Sequence, residues 1–488
     1  MLDFLPTRIS TRVNKALNFD SHPIGAALRL TIVVSVIFFF TSSLKHAVFL
    51  SSAWDMGIFD QAVYLISQGL APISSYMGFH VLGDHAALIL YPLALLYKIH
   101  VSTHWLFLTQ AIALASGIIP TWKLAQHAGL TVSQSKWVVL TYLLYPVLFS
   151  ANQFHFHPEV FAIPAFLWAI WAAQTRKIWL FCAAIALILS CKAVLSLTVF
   201  SMGIWLWKFE HRRKYGLIAI VVGLAWFVIS TQMIIPFLGG NSAEIQRHLY
   251  RYGSLGNSFS EIAIKAVTQP WLVIEQVVSR ANIVYLLRLT APIVWALSPQ
   301  SIAPLVGAIP CVFLNLLSDS SAQKSLAYQY SLPVLPFVVM TVIAAFKLDR
   351  GWVRKKRIVL LCLITGFILL SAVIKSGDYL RVIDNWQAKR EAVALVPPSA
   401  SVLTVMDIAP HLSHRSKITT ATVAFDASKA LDFSTIPNYE AVLLDVRHTN
   451  DFTAPQEFLN QVLQTVQTDD RFNLKYQRDD VYLFLRKF

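Results

Sequence analysis

Long apolar runs separated by short basic loops fill residues 1–375, whereas residues 376–488 alternate apolar and polar positions at the periods of strands and amphipathic helices. A helix must run for about 20 residues to cross about 30 Å of hydrocarbon. Eleven segments read as crossings: 26–49, 103–122, 138–152, 159–175, 178–191, 193–209, 216–236, 281–297, 299–317, 328–346 and 357–375. The stretch 84–99 is short and carries Pro92, and the charges decide against it. With 84–99 left out, Lys123, Lys136, Arg176, Lys177 and the clusters 208–214 and 347–357 all fall on the side of Arg8, Arg12, Lys15 and Arg29. Cytoplasmic loops carry the excess of Lys and Arg, so the N-terminus is expected in the cytoplasm.

Everything chemically unusual then gathers on the opposite face: the loop 50–102, the turn 152–159, the turn at Lys192, the loop 237–280 and the segment after 375. In the first of these, Ile58, Val63, Leu65, Ile66 and Leu70 mark an amphipathic helix and 84–99 a second, both suited to lie on the outer membrane surface. Beyond 375, residues 402–405 and 442–446 read as buried strands, 455–467 as a helix, and 474–485 as a strand pair turning at Arg478-Asp479-Asp480. The expected class is mainly α: a polytopic membrane helical bundle of about 11 to 13 spans with a small extracytoplasmic α/β C-terminal domain.

Composition supports that division. Only 14% of residues are charged and 56% are hydrophobic, where a soluble domain carries about 25% charged. Residues 1–375 hold 28 Lys/Arg against 12 Asp/Glu, and 376–488 hold 12 against 14, so the chain divides into a membrane domain, 1–375, and a soluble one, 376–488. The net charge of +14 sits in loops between apolar runs, where it reports orientation in the bilayer and no nucleic-acid partner. All four cysteines fall in apolar runs, which supports neither a disulfide framework nor a cysteine-based zinc site. The first apolar run exceeds a signal-peptide core and lacks a small-residue cleavage site, so it reads as an uncleaved span.

Three clusters carry candidate chemistry. Asp55, Asp60 and Asp84, with His85, crowd the first outer loop, where Asp55 and Asp84 also suit helix N-caps. His155, His157 and Glu159 offer two imidazoles and a carboxylate to a divalent metal or a phosphate-bearing ligand, although Pro158 and Glu159 equally suit the first turn of a helix. Arg288 interrupts an apolar run at a cost of about 2.5–3.5 kcal/mol if unpaired, and must face protein, water or an anion. Lys192, Arg247, His248 and Arg251 extend a candidate anion site, with snorkelling the plainer account of Lys192. The C-terminal segment has no phosphate loop, HExxH or GxSxG motif, and reads as a lid or docking domain.

The succession WDMGIFDQAVYLISQG, LGDHAALILYPLALLY, NQFHFHPEV, the lone Lys192, FLNLLSD, YQYSLPVLPF and DIAPHLSHRSKI, spread over about residues 50–485, resembles the bacterial membrane protein family called domain of unknown function 2079. That family is remotely similar to the GT-C class of polytopic glycosyltransferases. The resemblance implies a protein of the bacterial cytoplasmic membrane that moves a sugar from a polyprenyl-phosphate carrier to an outer-face acceptor. Asp55 matches the essential acid after the first span, and Glu159 lies near a frequent second acid. In this reading Asp55 is general base or positions the acceptor, and Asp60, Asp84 and His85 bind substrate. Glu159, His155 and His157 hold the donor phosphate or, with Asp55, a divalent metal ion, while Lys192 and Arg288 stabilise the charge left on the lipid phosphate. The chain departs from the family at Lys192-Ala193-Val194, where the resemblance implies Lys-Glu-Asp. The same cations also suit a transporter or binding scaffold for a lipid-linked anion, and the missing acids suit an inactive homologue.

Overall fold

The structure, a computed structural model, describes residues 19, 22–240, 248–256, 258–349, 351–375, 377–423, 431–447 and 454–487. Arg8, Arg12, Lys15 and Arg247 lie outside the described residues. Each of the eleven apolar segments contains a helix. Among the described residues, five helices are long and apolar enough to cross a membrane by themselves: Pro23–Ala47, His104–His127, Val132–Phe154, Arg213–Gly239 and Gln329–Leu348. A sixth arises if Pro270–Val277 and Arg280–Ala296, bent by 52°, count as one span. Proline is one cause of the interruptions, since a ring inside a helix removes a donor and clashes with the preceding turn; Pro146 and Pro304 both stand at the start of a new helical piece. Apolar side chains such as Phe40, Leu224 and Phe237 point outward, as suits helices solvated by lipid.

Inside the bundle, polar groups fix helix order. Asn152 donates from Nδ2 to the Phe38 carbonyl at 3.0 Å, and Ser42 Oγ donates to the Asn152 carbonyl at 3.0 Å. In a medium without water such reciprocal bonds hold two spans in one register. Lys45 Nζ then donates to the carbonyls of Gln153 and Phe154, both at 2.7 Å, and so ties the end of the first span to the turn that follows the third.

The loop 50–102 contains both expected amphipathic pieces, Ile58–Ser67 and Leu90–Ile99, together with a hairpin of strands β1 (Ile73–Ser74) and β2 (Phe79–His80) and the short helix Leu82–His85. The C-terminal part is a five-stranded mixed sheet of β3 (Val402–Thr404), β4 (Ile418–Thr420), β5 (Ala441–Asp445), β6 (Phe472–Arg478) and β7 (Val481–Arg486), in the order β4-β3-β5-β7-β6. β5 is buried along its whole length, as a central strand with parallel pairing on one side requires. β6 and β7 turn through Asp479 and Asp480, both at positive φ, the conformation that matches strand twist in a two-residue hairpin.

The sheet does not keep to itself. Phe49 and Ala53 belong to its core cluster, and Ala53 N–H donates to the Met406 carbonyl at 2.8 Å. The Ser75 hydroxyl caps edge strand β4 by donating to the Ile418 carbonyl at 2.8 Å and accepting from its N–H at 3.1 Å, which satisfies one backbone pair of an otherwise open edge. Asp60, fully buried, accepts from Tyr97 at 2.5 Å and Thr103 at 3.1 Å, and pairs with His414 at 3.1 Å. Burial works against a charged His414, but Asp60 outweighs it and raises the imidazole above its ordinary range. Lys389, wholly buried, lies 2.6 Å from Asp407 and 2.7 Å from Asp445, and 5.7 Å from the centre of the Phe49 ring. The acids compensate a charge that would be prohibitive alone.

Phe49→Ala should therefore destabilise the contact between the first loop and the sheet by about 3 kcal/mol. Thermal unfolding of the full chain in detergent would register this as a lower midpoint; an unchanged midpoint would show that the ring is dispensable.

Candidate functional site

The turn Ala53–Gly57 leaves the first span and enters Ile58–Ser67. Its central residue, Asp55, has φ 70° and ψ −74°. A β-carbon at that φ stores about 1–3 kcal/mol of strain, and such residues persist only where surrounding contacts over-determine them. Here Met406 grips Ala53 on one side, and the Gly57 N–H reaches back to the Ser52 carbonyl at 3.2 Å on the other. The helix that follows has no side-chain cap, and neither does the short helix holding Asp84. The N-cap readings of Asp55 and Asp84 are thus set aside.

Asp55 turns its Oδ1 towards His157 Nε2, 3.4 Å away. His157 Nδ1 is 3.2 Å from the His155 carbonyl, and its Nε2 is 2.9 Å from the Gln329 amide. Which end of a glutamine amide is oxygen follows from its partners. Gln329 Oε1 as placed is buried without a hydrogen bond, and turning the amide over presents that oxygen to Nε2. A doubly protonated His157 then donates from Nδ1 to the His155 carbonyl and from Nε2 to Asp55 and Gln329. Burial alone would lower His157, but Asp55 outweighs it and raises the imidazole above its ordinary value. Conversely, burial pushes the Asp55 carboxyl up, yet His157, His155 and Lys192 together hold it well below the usual carboxylate range.

Two residues further on, Glu159 sits in the single turn Pro158–Phe161. Its Oε1 lies 3.2 Å from Lys192 Nζ, while Oε2 is buried without a hydrogen-bond partner. Lys192 occupies the tight connection between helices Ile178–Cys191 and Leu195–Lys208. The next residue, Ala193, donates its N–H to the His85 carbonyl at 2.9 Å, so this turn docks on the first loop.

That bond leads to a second group. His248 Nε2 lies 3.3 Å from Asp84 Oδ1 and His85 Nε2 3.5 Å from Asp84 Oδ2, with the two imidazoles stacked at 5.3 Å. One ligand atom from each falls within 4.8 Å of the others, a spacing at which two imidazoles and a carboxylate suit a divalent ion with an open position. Burial lowers His248 to about 4 despite Asp84, which leaves it neutral, the ligating form. Gly83 permits the approach: a Cβ there would lie 2.4 Å from the Gly239 backbone.

The structure thus joins Asp55 to His157 and Glu159 to Lys192, and it sets Asp84, His85 and His248 against the Lys192 turn. It does not gather Asp55, His155, His157 and Glu159 into one ligand group, because both nitrogens of His157 are engaged and Glu159 faces Lys192. His155 packs on Phe154, with ring centres 4.5 Å apart. Asp60 is committed to Tyr97, Thr103 and His414, and Arg288 is exposed on helix Arg280–Thr290. Gln329 escaped sequence reasoning; a lone glutamine within YQYS carries no spacing signal. Arg251 stands 5.5 Å from the centre of the neighbouring Tyr330 ring.

The overall fold is similar to solved structures of ArnT. The structure of ArnT from Cupriavidus metallidurans bound to undecaprenyl phosphate superposes with a TM-score of 0.54 at 12% identity, covering 94% of this chain and 97% of that one. The apo state of the same protein gives 0.52 at 11% identity over the same shares. This likeness supports the remote GT-C resemblance at the level of fold. The chain itself belongs to the family described as "Predicted membrane protein (DUF2079)", which it matches over residues 45–483. No curated protein matches the sequence.

Two measurements check the site. In infrared pH titration of the full chain, with Asp55→Asn to assign the band, the Asp55 carboxylate should persist well below pH 4; His157→Gln should move its protonation upward, because burial then acts without the neighbouring imidazolium. An unmoved band would dissociate the pair. Zinc titrated into the full chain should bind at one equivalent, and His248→Ala should weaken that binding by at least about tenfold; retained affinity would remove Asp84, His85 and His248 as ligands.

Proposed function

We propose that the protein is a GT-C-like membrane glycosyltransferase that moves a sugar from a polyprenyl-phosphate carrier to an acceptor at the outer face of the bacterial cytoplasmic membrane. The observation that carries this reading is Asp55, an ionised carboxylate on strained backbone beside His157 and near Lys192. A fold shared with a protein crystallised with undecaprenyl phosphate supports the donor class. The N-terminus is taken as cytoplasmic. The loop 50–102, the Lys192 turn and the soluble unit 376–488, packed on the membrane domain 1–375, are taken as extracytoplasmic.

In the reaction the acceptor's hydroxyl oxygen attacks the anomeric carbon, and the bond from that carbon to the phosphate oxygen breaks. The lipid phosphate leaves with the bonding pair. A carboxylate held as low as Asp55 is a weak base towards an intact hydroxyl, so Asp55 first orients the hydroxyl. It takes the proton late, when the forming glycosidic bond has acidified it. Lys192 shares its charge between Glu159 and the departing phosphate, and Arg251, packed on the Tyr330 ring, is a proposed second cation. Asp84, His85 and His248 would hold a divalent ion whose role there is to neutralise phosphate charge.

A second reading, a binding scaffold, carrier or inactive homologue, is favoured by one observation: Ala193 packs in a small apolar cluster with Ala86 and Ile235, where the family resemblance implies an acid.

The test is transfer from undecaprenyl-phosphate-linked sugars by the reconstituted full chain. Asp55→Asn should lose at least about a hundredfold in rate while still binding undecaprenyl phosphate. Equal rates in both proteins would sink the assigned role of Asp55, and binding without transfer in the wild type would select the carrier reading.

A further inference from the structure

The helices Phe259–Thr268 and Pro270–Val277 meet at Gln269, where Pro270 opens the second, and the next helix, Arg280–Thr290, runs on into the bundle. Ile264, Val267, Trp271, Ile274 and Val278 recur at intervals of three and four residues, the spacing that gathers side chains on one helical face. Each of them is more than half exposed. The inward side is apolar as well: Leu272, Val273 and Val277 are half-buried, and Val277 packs on the main core. A helix pair that meets the protein with one apolar side and turns a second one outward requires an apolar medium on both.

The direction of the outward side is set by one carboxylate. Asp319 Oδ1 accepts from Ser254 Oγ at 2.7 Å and from the Gln276 amide at 2.9 Å, and Oδ2 accepts from the Ser254 N–H at 3.0 Å. Gln276 also donates to the Leu317 carbonyl at 3.3 Å, and the Asp319 N–H donates to the Arg251 carbonyl at 2.6 Å. Both ends of the pair are thereby fastened next to the end of helix Ile309–Leu317. The pair cannot roll its exposed stripe inward without breaking these bonds. Because His248, three residues before Arg251, pairs with Asp84, the fastening point lies at the end of the bundle that carries the first loop.

We propose that this stripe is a docking surface for the bilayer itself, seated at the boundary of headgroups and acyl chains in the leaflet on the first-loop side, so that the helix pair lies in the interface and does not cross. Continuity decides for lipid over a second copy of the chain. The stripe runs through Val278 towards exposed Ile283 and Leu287, which belong to the helix entering the bundle and meet the same medium as the spans. Between Pro270–Val277 and the helical piece that follows, the axis bends by 52°, which tips the pair away from the direction of crossing. Trp271 in the middle of the stripe suits that level, since an indole ring prefers the boundary between membrane and water. The charged neighbours fit an interfacial helix too: Glu261 and Lys265 pair at 2.7 Å, and Glu275 and Arg280 are exposed. Seated in this way, the pair steadies the Arg251 backbone through Asp319.

The experiment uses the full chain in nanodiscs of phosphatidylethanolamine and phosphatidylglycerol. Half-buried Cys182 and Cys362 are replaced by alanine, and a nitroxide is placed in turn at Val267→Cys, Trp271→Cys and Ile274→Cys. Electron paramagnetic resonance reads collision with oxygen, which concentrates in lipid, and with a soluble nickel chelate, which stays in water. Leu224→Cys on a span and Lys475→Cys on β6 calibrate the two limits. The stripe positions should favour oxygen over nickel several-fold, at a depth of about 5–10 Å into the boundary of headgroups and acyl chains. A nickel preference like that of Lys475→Cys places the stripe in water and overturns the proposal. Exclusion of both reagents assigns the face to a protein partner or a second copy and overturns it equally. A phosphatidylethanolamine carrying a diazirine high in its acyl chain should crosslink the wild type within 264–278, a readout that needs no variant to fold; crosslinks confined to the spans would also overturn the seat.

Discussion

The pair of part-exposed Asp55 and buried His157 sets the terms for everything around it. A carboxylate drawn partly out of water gains from a compensating partner, and a compensating imidazolium needs acceptors for both of its protons. Those acceptors arrive from different parts of the chain: the His155 carbonyl from the turn after one span, and Gln329 from the start of another. The carboxylate reaches them only because its backbone accepts a positive φ, and Met406 of the C-terminal sheet helps to hold that turn. Four distant segments are therefore coupled through one pair of charges, which is how a strained residue is kept in place.

The same logic explains why Lys192 and the Asp84 group are neighbours. Lys192 sits where two helices turn back, and the turn is anchored by Ala193 to the His85 backbone. His85 presents its ring to Asp84 from the same residue whose carbonyl makes that anchor. Polar groups at this end of the bundle are consequently not scattered. One backbone bond, from the Ala193 N–H to the His85 carbonyl, lies one residue from both Lys192 and Asp84 and so fixes the two charges relative to each other.

Local signals in the sequence were read well where the chain repeats at a short period. Residues 441–445 and 402–404 appear as buried strands within a residue or two of their expected limits, and the hairpin turns at Asp479 and Asp480. The apolar segments coincide with helices, but span length did not follow from hydropathy, because prolines and 3₁₀ stretches divide several of them. What escaped was tertiary. Asp60 resembles a substrate ligand in its motif, yet Tyr97, Thr103 and His414 claim it. β4, Ile418-Thr419-Thr420, is as short as β3 but has two threonines against the Val402-Leu403 pair of β3, so no apolar run marks it. The metal-like group needed Asp84 and His248, 164 residues apart, to be seen together, and no spacing rule spans such a gap.

The bond between Asp60 and His414 joins residues 354 positions apart. At synthesis rates of about 5–20 residues per second, the histidine emerges roughly 20–70 s after the aspartate. Throughout that interval the first loop has neither the sheet that grips Ala53 nor the imidazole that neutralises Asp60, and its hairpin edge at Ser75 lacks β4. The turn bearing Asp55 can therefore gain these contacts only after Met406 and His414 have been made. The late-made Met406 and His414 thus complete a turn that begins at residue 53, near the other end of the described chain.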